Sequence, residues 1–540
     1  MNALYFGDNL DILREHIADA SVDLVYLDPP FNSSATYNVL FKSPKGHASH
    51  AQIEAFEDTW HWGEQAEREF GELLQCGNTD VSEMMQALRR FLGENDMMAY
   101  LTMMANRLME LHRVLKQSGS LYLHCDPTAS HYLKIVLDGV FGPQNYRNEI
   151  VWKRTTAKSL MTRRLPDNHD VLLCYGKSDS TTWNDTSIYT PYDPDNLDDK
   201  TSSKYSHHDK DGRIYRLDNL INPNPNRPNL TYEFLGINRV WRWTKQRMQA
   251  AYEAGIVVQT RPGAVPQLKR YLDEQKGRAL DDVWTDIFPL NSQAQERLGY
   301  PTQKPIALLE RIIGASSNEG DVILDPFCGC GTAVHAAEKL NRKWIGIDIT
   351  HLAISLIEKR MRDAFPTIAF DVHGTPKDFD GARDLAIRDK YQFQWWACSL
   401  VNAQPYQGKK KGADSGIDGL IYFQDDDKLP KKIVVSVKGG ENVGVSMLRD
   451  FAHVIDREKA AIGLFVTLTD PTRNMVTESV GTGYYTSPLT GAKFPKLQVL
   501  TIEGLLSGTE QARYPRMDAG GLTFKKAKRE DKQPQQGKLI

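Results

Sequence analysis

The chain has few of the features that would export it or place it in a bilayer. Its first residues, Met1 to His16, lack the basic stretch followed by an apolar run that marks a secretory leader. Nowhere do about 18 apolar residues follow one another, as a membrane span requires. A cytoplasmic protein with no membrane partner is expected. Cysteine is scarce, with six in 540 residues, and without an export signal these thiols are expected to stay reduced. Cys328 and Cys330 lie in a glycine turn, but no second cysteine or histidine pair follows at ligand spacing, which argues against zinc. An excess of positive charge is also missing: the formal net charge is −3, so any contact with nucleic acid must come from local basic patches. Gly176-Lys177-Ser178 looks like the end of a phosphate loop, yet Val171 stands where that motif needs glycine, which argues against an ATP-driven motor. Internal repeats and heptads are absent.

What is there suggests several folded units. The length exceeds one core, at about 100 to 200 residues per domain, and 25% charged with 41% hydrophobic residues is ordinary for a globular protein. Val22 to Leu27 is a short apolar run stopped by Asp28-Pro29-Pro30, hence a buried strand ending on an acid, because proline cannot join the ladder. Met98, Leu101, Met104, Leu108, Leu111 and Leu115 recur at helical spacing and lead into Gly119 and a strand over 121–124. A second strand, turn and helix unit comes late. Val322 to Leu324 runs into Asp325-Pro326-Phe327-Cys328-Gly329-Cys330-Gly331-Thr332, then into a helix over 333–340, and a further strand over 344–347 ends at Asp348. Strands alternating with helices predict an α/β fold with a doubly wound, mostly parallel sheet.

In such a sheet ligands bind beyond the carboxyl ends of the strands. Asp28 and the 325–332 turn are therefore expected to face one crevice. Gly329 and Gly331 allow a tight turn and close backbone approach, the following helix N-terminus can hold an anionic group, and Asp348 is placed to accept from ribose hydroxyls.

Asp28-Pro29-Pro30-Phe31 together with Asp325 to Thr332 resembles the amino-methylating DNA methyltransferases. Gly119 to Asp126, Asn148 to Arg154, Asn168-His169-Asp170 and Pro301-Thr302-Gln303-Lys304-Pro305 add to the resemblance, which covers about residues 1–180 and 280–350. The catalytic motif precedes the donor motif, the permuted order of the family's β class within the class I methyltransferase fold. The resemblance implies methyl transfer from S-adenosylmethionine to an amino group of a flipped base in double-stranded DNA. Asp28, Pro29, Pro30 and Phe31 are then catalytic, and Asp325, Pro326, Phe327, Gly329, Gly331, Thr332, Asp348, Lys304 and Asp8 bind the donor. Aspartate at position 28 points to adenine N6, with cytosine N4 as the alternative. Two assignments stay open: Asp8 contacts the donor or caps the helix that follows, and Lys304 is a donor-site residue or a solvated one.

Basic residues beside aromatics are the candidates for DNA contact: Trp152, Lys153 and Arg154 with Lys158, Arg163 and Arg164, and a second cluster from Arg239 to Arg247 that includes Arg242. Trp241 and Trp243 serve either base readout or the core of their module. Gly416 to Gly419, followed by Ile433 to Gly440, resembles Mrr-type restriction endonucleases of the PD-(D/E)xK class. That resemblance makes Asp418 and Lys438 nuclease residues and Asp418 a ligand for magnesium. Ser436 stands where the second metal acid belongs, so both an active nuclease and an inert, DNA-binding remnant are open, with Glu441 or an acid from 425–427 as a substitute ligand. The divisions expected are a catalytic half (1–177), an inserted target-recognition region (178–291), a donor half (292–373), a C-terminal α/β restriction-endonuclease-like domain (374–506) and a basic, flexible tail (507–540). A role in restriction-modification or phage defence follows by analogy, with a homodimer or other defence subunits as partners. The reading from another class is a DNA-binding specificity subunit.

Overall fold

The computed structural model describes residues 2–30, 36–42, 48–57, 61–155, 165–185, 189–195, 197–291, 294–300, 302–406, 416–425, 430–515, 523–524 and 526–530. A central sheet is built from β1 (Ala3–Phe6), β2 (Val22–Leu27), β3 (Leu115–Cys125), β4 (Tyr146–Lys153), β5 (His169–Gly176), β6 (Val283–Trp284), β7 (Val322–Asp325), β8 (Lys343–Asp348) and β9 (Asp371–His373). Its order is β6-β4-β5-β3-β2-β7-β8-β1-β9. Within this sheet β5 alone runs antiparallel to its neighbours, which matches the doubly wound, mostly parallel fold expected.

Every residue of β2 is buried, as a parallel strand covered on both faces requires. Asp23 is tolerated there because its carboxylate takes Lys116 Nζ at 2.7 Å and Val322 N at 2.9 Å, tying β2 to β3 and β7 at the end away from the site. Helix α1 (Asn9–His16) and helix α2 (Asp96–Val114) pack on one face. On α2, Met98, Met103, Met104 and Leu108 are core, and Asn95 caps the helix through Met98 N at 2.9 Å. The other face carries α3 (Ile306–Ser316), α4 (Thr332–Lys339) and α5 (His351–Ala364).

Residues Asp185–Asp281 form a compact unit of their own. Its core gathers Leu220, Phe234, Trp241, Met248, Val257 and Leu268. The C-terminal sheet contains β10 (Gln404–Pro405), β11 (Gly419–Phe423), β12 (Lys431–Lys438), β13 (Ile462–Thr467) and β14 (Leu497–Thr501) in sequential order. Strands β12 to β14 are parallel, while β10 and β11 are antiparallel to their neighbours.

This sheet does not separate from the methyltransferase-like sheet as a compact unit. The boundary expected at 374 is bridged: Trp395 packs with Tyr300, Cys330, Leu352 and Ala353, and Gln392 Oε1 accepts from His351 N at 2.9 Å. The tail also departs from expectation. Lys526, Lys528 and Arg529 are exposed, but Glu530 N donates to Ala364 O at 3.0 Å, and Thr523 Oγ1 accepts from Tyr422 N at 3.0 Å. Apolar Phe524 and Ala527 alternate with the basic residues and give this stretch something to bury. Among the described residues no helix is long and apolar enough to cross a membrane.

Candidate active site

Four strands that are neighbours in the sheet, β2, β7, β8 and β1, each end at or just before an aspartate: Asp28, Asp325, Asp348 and Asp8. All four line one cavity of about 290 Å³, together with Pro29, Pro30, Tyr300, Lys304, Arg107 and the turn from Pro326 to Cys330. Parallel pairing is responsible, because it brings the carboxyl ends of these strands to the same edge. Four carboxylates face two cations there, so the lining favours a ligand that carries positive charge.

The glycine turn is held from inside. Asp348 Oδ2 accepts from Gly329 N at 2.9 Å, and Oδ1 accepts from Thr350 N and Oγ1, both at 2.9 Å. Burial nevertheless pushes the Asp348 carboxyl up to about 6. Burial also raises Asp325 well above the usual carboxylate value, helped by the charges of Asp28 and Asp348, while Phe327 N donates to it at 3.1 Å. Gly331 has φ +72°, and a Cβ there would lie 2.9 Å from Ile357 on α5, so only glycine fits.

Both readings of Asp8 meet in the structure. Its Oδ1 caps α1 through Leu10 N at 2.7 Å, and the same carboxylate takes Arg107 Nη2 at 3.0 Å on both oxygens while lining the cavity. Arg107 is 5% exposed and also donates to Asn9 Oδ1 at 2.5 Å; Asn9 Nδ2 in turn donates to Pro326 O at 2.8 Å. Arg107, Asn9 and Tyr300 escaped the sequence reading. A lone arginine on the methionine-rich face of α2 was the available signal, since a buried cation needs a partner.

Lys304 is not a solvated lysine. It is 8% exposed, and its Nζ lies 2.5 Å from Asp28 Oδ2. Behind Asp28, Tyr26 Oη pairs with His124 Nδ1 at 3.0 Å, His124 Nε2 with Asp170 Oδ2 at 3.1 Å, and Arg154 Nε with Asp170 Oδ1 at 3.2 Å. Burial opposes ionisation of Asp170, but the hydrogen bond and charge of His124, aided by Lys304 and Arg154, hold its carboxyl below the usual value. Phe31 and Pro301 lie outside the described residues.

The expected DNA contacts divide. Trp152 is 2% exposed, donates from Nε1 to Ile287 O at 2.9 Å and packs edge-on against His124, so it belongs to the core and not to a DNA surface. Strand alternation is the reason: Ile150 and Trp152 point inward, while Lys153 points to solvent. Lys158, Arg163 and Arg164 fall outside the described residues. Within the inserted unit Trp241 is fully buried, whereas Arg242 is exposed and Arg247 stacks over Trp243 at 4.3 Å.

Asp418 directly precedes the start of β11, and Lys438 is the last residue of β12. Asp418 Oδ2 accepts from Val437 N at 2.7 Å and from Ser436 Oγ at 3.4 Å. Neither substitute acid comes to it: Glu441 pairs with Arg383, and buried Asp425 accepts from Tyr485 Oη at 2.7 Å and Ser487 Oγ at 2.6 Å. Asp426 and Asp427 lie outside the described residues. Among the described residues no group of three His, Cys, Asp or Glu is placed to hold a metal ion.

Residues 22–359 match the family model of the N6/N4 DNA methylases. The chain belongs to this DNA methylase family. Residues 372–481 match a second model, the Mrr-type restriction endonuclease domain, so a methylase and a nuclease-like domain share one chain. The type II methyltransferase M.EcaI of Enterobacter cloacae is 30% identical over 266 residues, 48% of this chain and 57% of that protein. The Mod subunit of the type III restriction-modification enzyme StyLTI of Salmonella typhimurium is 23% identical over 357 residues, 63% of this chain and 50% of that one. This chain thus spans about half the length of these curated relatives. Among solved structures, the cytosine-N4-specific PvuII DNA methyltransferase is 13% identical, covers 68% of this chain and 89% of its own, and has a TM-score of 0.33. The M1.HpyAVI complex with S-adenosylmethionine is 14% identical, covers 67% and 99%, and has a TM-score of 0.31.

Proposed function

We propose that the chain transfers a methyl group from S-adenosylmethionine to the N6 amino group of adenine in duplex DNA. One observation carries the reading: Asp28 and the glycine turn open onto the same cavity. The lining suits this donor, since four carboxylates against two cations match a sulfonium, and the turn between β7 and α4 leaves backbone N–H groups for an anionic end. Asp348, Gly329, Thr332 and Asp8 would hold the donor, with Arg107 and Asn9 fixing Asp8 and Pro326 around it. When bound, the donor supplies a methyl group on a positively charged sulfur, which keeps the electron pair of the broken S–C bond.

Asp28 accepts a hydrogen bond from one N–H of the adenine amino group and the carbonyl of Pro29 accepts one from the other, which favours a pyramidal nitrogen whose lone pair forms the new C–N bond. Because the prolines fix the loop, the acceptors are preorganised. Asp28 can then take the proton that the methylated nitrogen sheds. The base reaches the pocket by flipping out of the stack, while Lys153, Arg154 and Arg242 position the backbone. The test is transfer of a radiolabelled methyl group to unmethylated genomic DNA, followed by product analysis. Methyladenine is expected; methylcytosine alone would move the assignment to N4.

We further infer that the nuclease-like domain serves DNA or partner binding rather than cleavage, because Asp418 is engaged by Val437 N and Ser436 supplies no second carboxylate for magnesium. Incubation of supercoiled plasmid with magnesium tests this, and cleavage would overturn it. Joined in one chain, the two domains fit restriction-modification or phage defence.

A further inference from the structure

Lys304 reaches Asp28 across 276 residues of sequence, and both side chains are largely shut off from water, at 10% and 17% exposure. The segment that delivers the lysine is shaped for it. Thr302 has φ +60°, Gln303 bridges Leu298 N at 2.8 Å and Glu296 O at 2.6 Å, and Pro305 begins α3 directly after Lys304. A residue outside the glycine class at positive φ is a strained choice that its surroundings must impose. Among the described residues no hydrogen bond reaches Asp28 Oδ1, and the Asp28 side chain lines the cavity.

We propose that Lys304 is a positioning residue for the acceptor carboxylate and not a donor-binding residue: it engages Oδ2, holds the carboxylate in one orientation and leaves Oδ1 turned to the substrate amino group. This rests on the methyl-transfer reading above. The alternative role, direct contact with the donor, would require the ammonium to leave a largely buried carboxylate that, among the described residues, pairs with no other cation.

Asp28 shares the cavity with Asp325 on β7 and Asp348 on β8, and its charge is felt by Tyr26 on β2, Cys125 on β3 and Asp325. Lys304 lowers the proton affinity of Asp325 and Asp170 through its field as well as touching Asp28. Removing the cation leaves Oδ2 without this contact and lets the Asp28 carboxylate rotate. A rotated carboxylate offers the amino group a poorly aimed acceptor.

The experiment compares full-length wild type with Lys304→Met and Lys304→Arg, measuring donor affinity by calorimetry without DNA and methyl transfer to unmethylated genomic DNA. The expected result for Lys304→Met is donor affinity within about twofold of wild type and a kcat lower by about 10². Lys304→Arg, which keeps the cation, should restore most of the rate. Loss of donor affinity in Lys304→Met with kcat unchanged at saturating donor would make Lys304 a donor residue and overturn the proposal. A fall in kcat with no rescue by arginine would overturn it too, as a general structural effect. Failure of the wild type to transfer at all would remove the proposed function and this inference with it, and is told apart by the control reaction.

Discussion

Asp28 follows the last residue of β2 and Asp418 precedes the first residue of β11, and the two places they occupy differ in what is left for a ligand. Asp28 gives one oxygen to Lys304 and faces a cavity lined by three further carboxylates, a glycine turn and an arginine. Asp418 gives Oδ2 to a backbone N–H of the next strand, with a serine where a second acid would complete a metal site. An acid at a strand end becomes a reactive centre only if its neighbours leave it an oxygen and supply complementary groups. Otherwise the same residue holds strands together.

The sharpest test of that contrast is to remove each acid. Asp28→Ala should lower methyl transfer by about 10³-fold with donor affinity retained, since preorganised acceptors typically contribute 10²–10³. Asp418→Ala should leave transfer alone and weaken folding by about 1–3 kcal/mol, because Val437 N is left buried without its acceptor. Denaturant titration and the tritium assay read the two outcomes, and equal loss of transfer in both would erase the distinction. A second pair divides the residues after β3. Trp152→Ala should cost about 3–5 kcal/mol of stability, as for a buried aromatic. Lys153→Ala should leave stability unchanged while reducing the salt slope of DNA binding by about one.

Proton linkage distinguishes the donor side of the cavity. Burial holds Asp348 at about 6, so donor affinity should fall up to about tenfold per pH unit below that value as the carboxylate becomes protonated. Stability of the free protein should run the other way. Because the folded carboxyl binds its proton more tightly than the unfolded one, this group's contribution is present at low pH and is lost as pH rises through about 6. A donor affinity flat from pH 5 to 8 would separate Asp348 from the ribose. The smallest expected effect is at the nuclease-like site: Ser436→Glu should create weak, millimolar-range magnesium binding detectable by calorimetry. No binding at all would show that more than one ligand is missing.

How far the sequence could be read follows from how local each feature is. The runs Val22 to Leu27 and Val322 to Leu324, the prolines after Asp28 and the glycines of the 325–332 turn each announce a strand, a stop or a tight turn from adjacent residues alone. They were sufficient for the parallel sheet, the permuted order and the shared crevice. Trp152 was misjudged because basic neighbours suggest a surface, whereas the face of β4 that is covered depends on where residues 284–287 pack. Arg107 was missed for a similar reason: it lies on a helix 99 residues from its partner Asp8.

By itself, then, the sequence determined which elements form and which acids end their strands, because backbone propensity and hydrophobic period act over a few residues. Only the tertiary structure decided that Lys304 serves Asp28, that Arg107 serves Asp8, and that Asp418 is tied to its neighbouring strand. Such pairings are chosen by burial: an ion removed from water must meet a partner, and which partner is within reach depends on how distant segments pack.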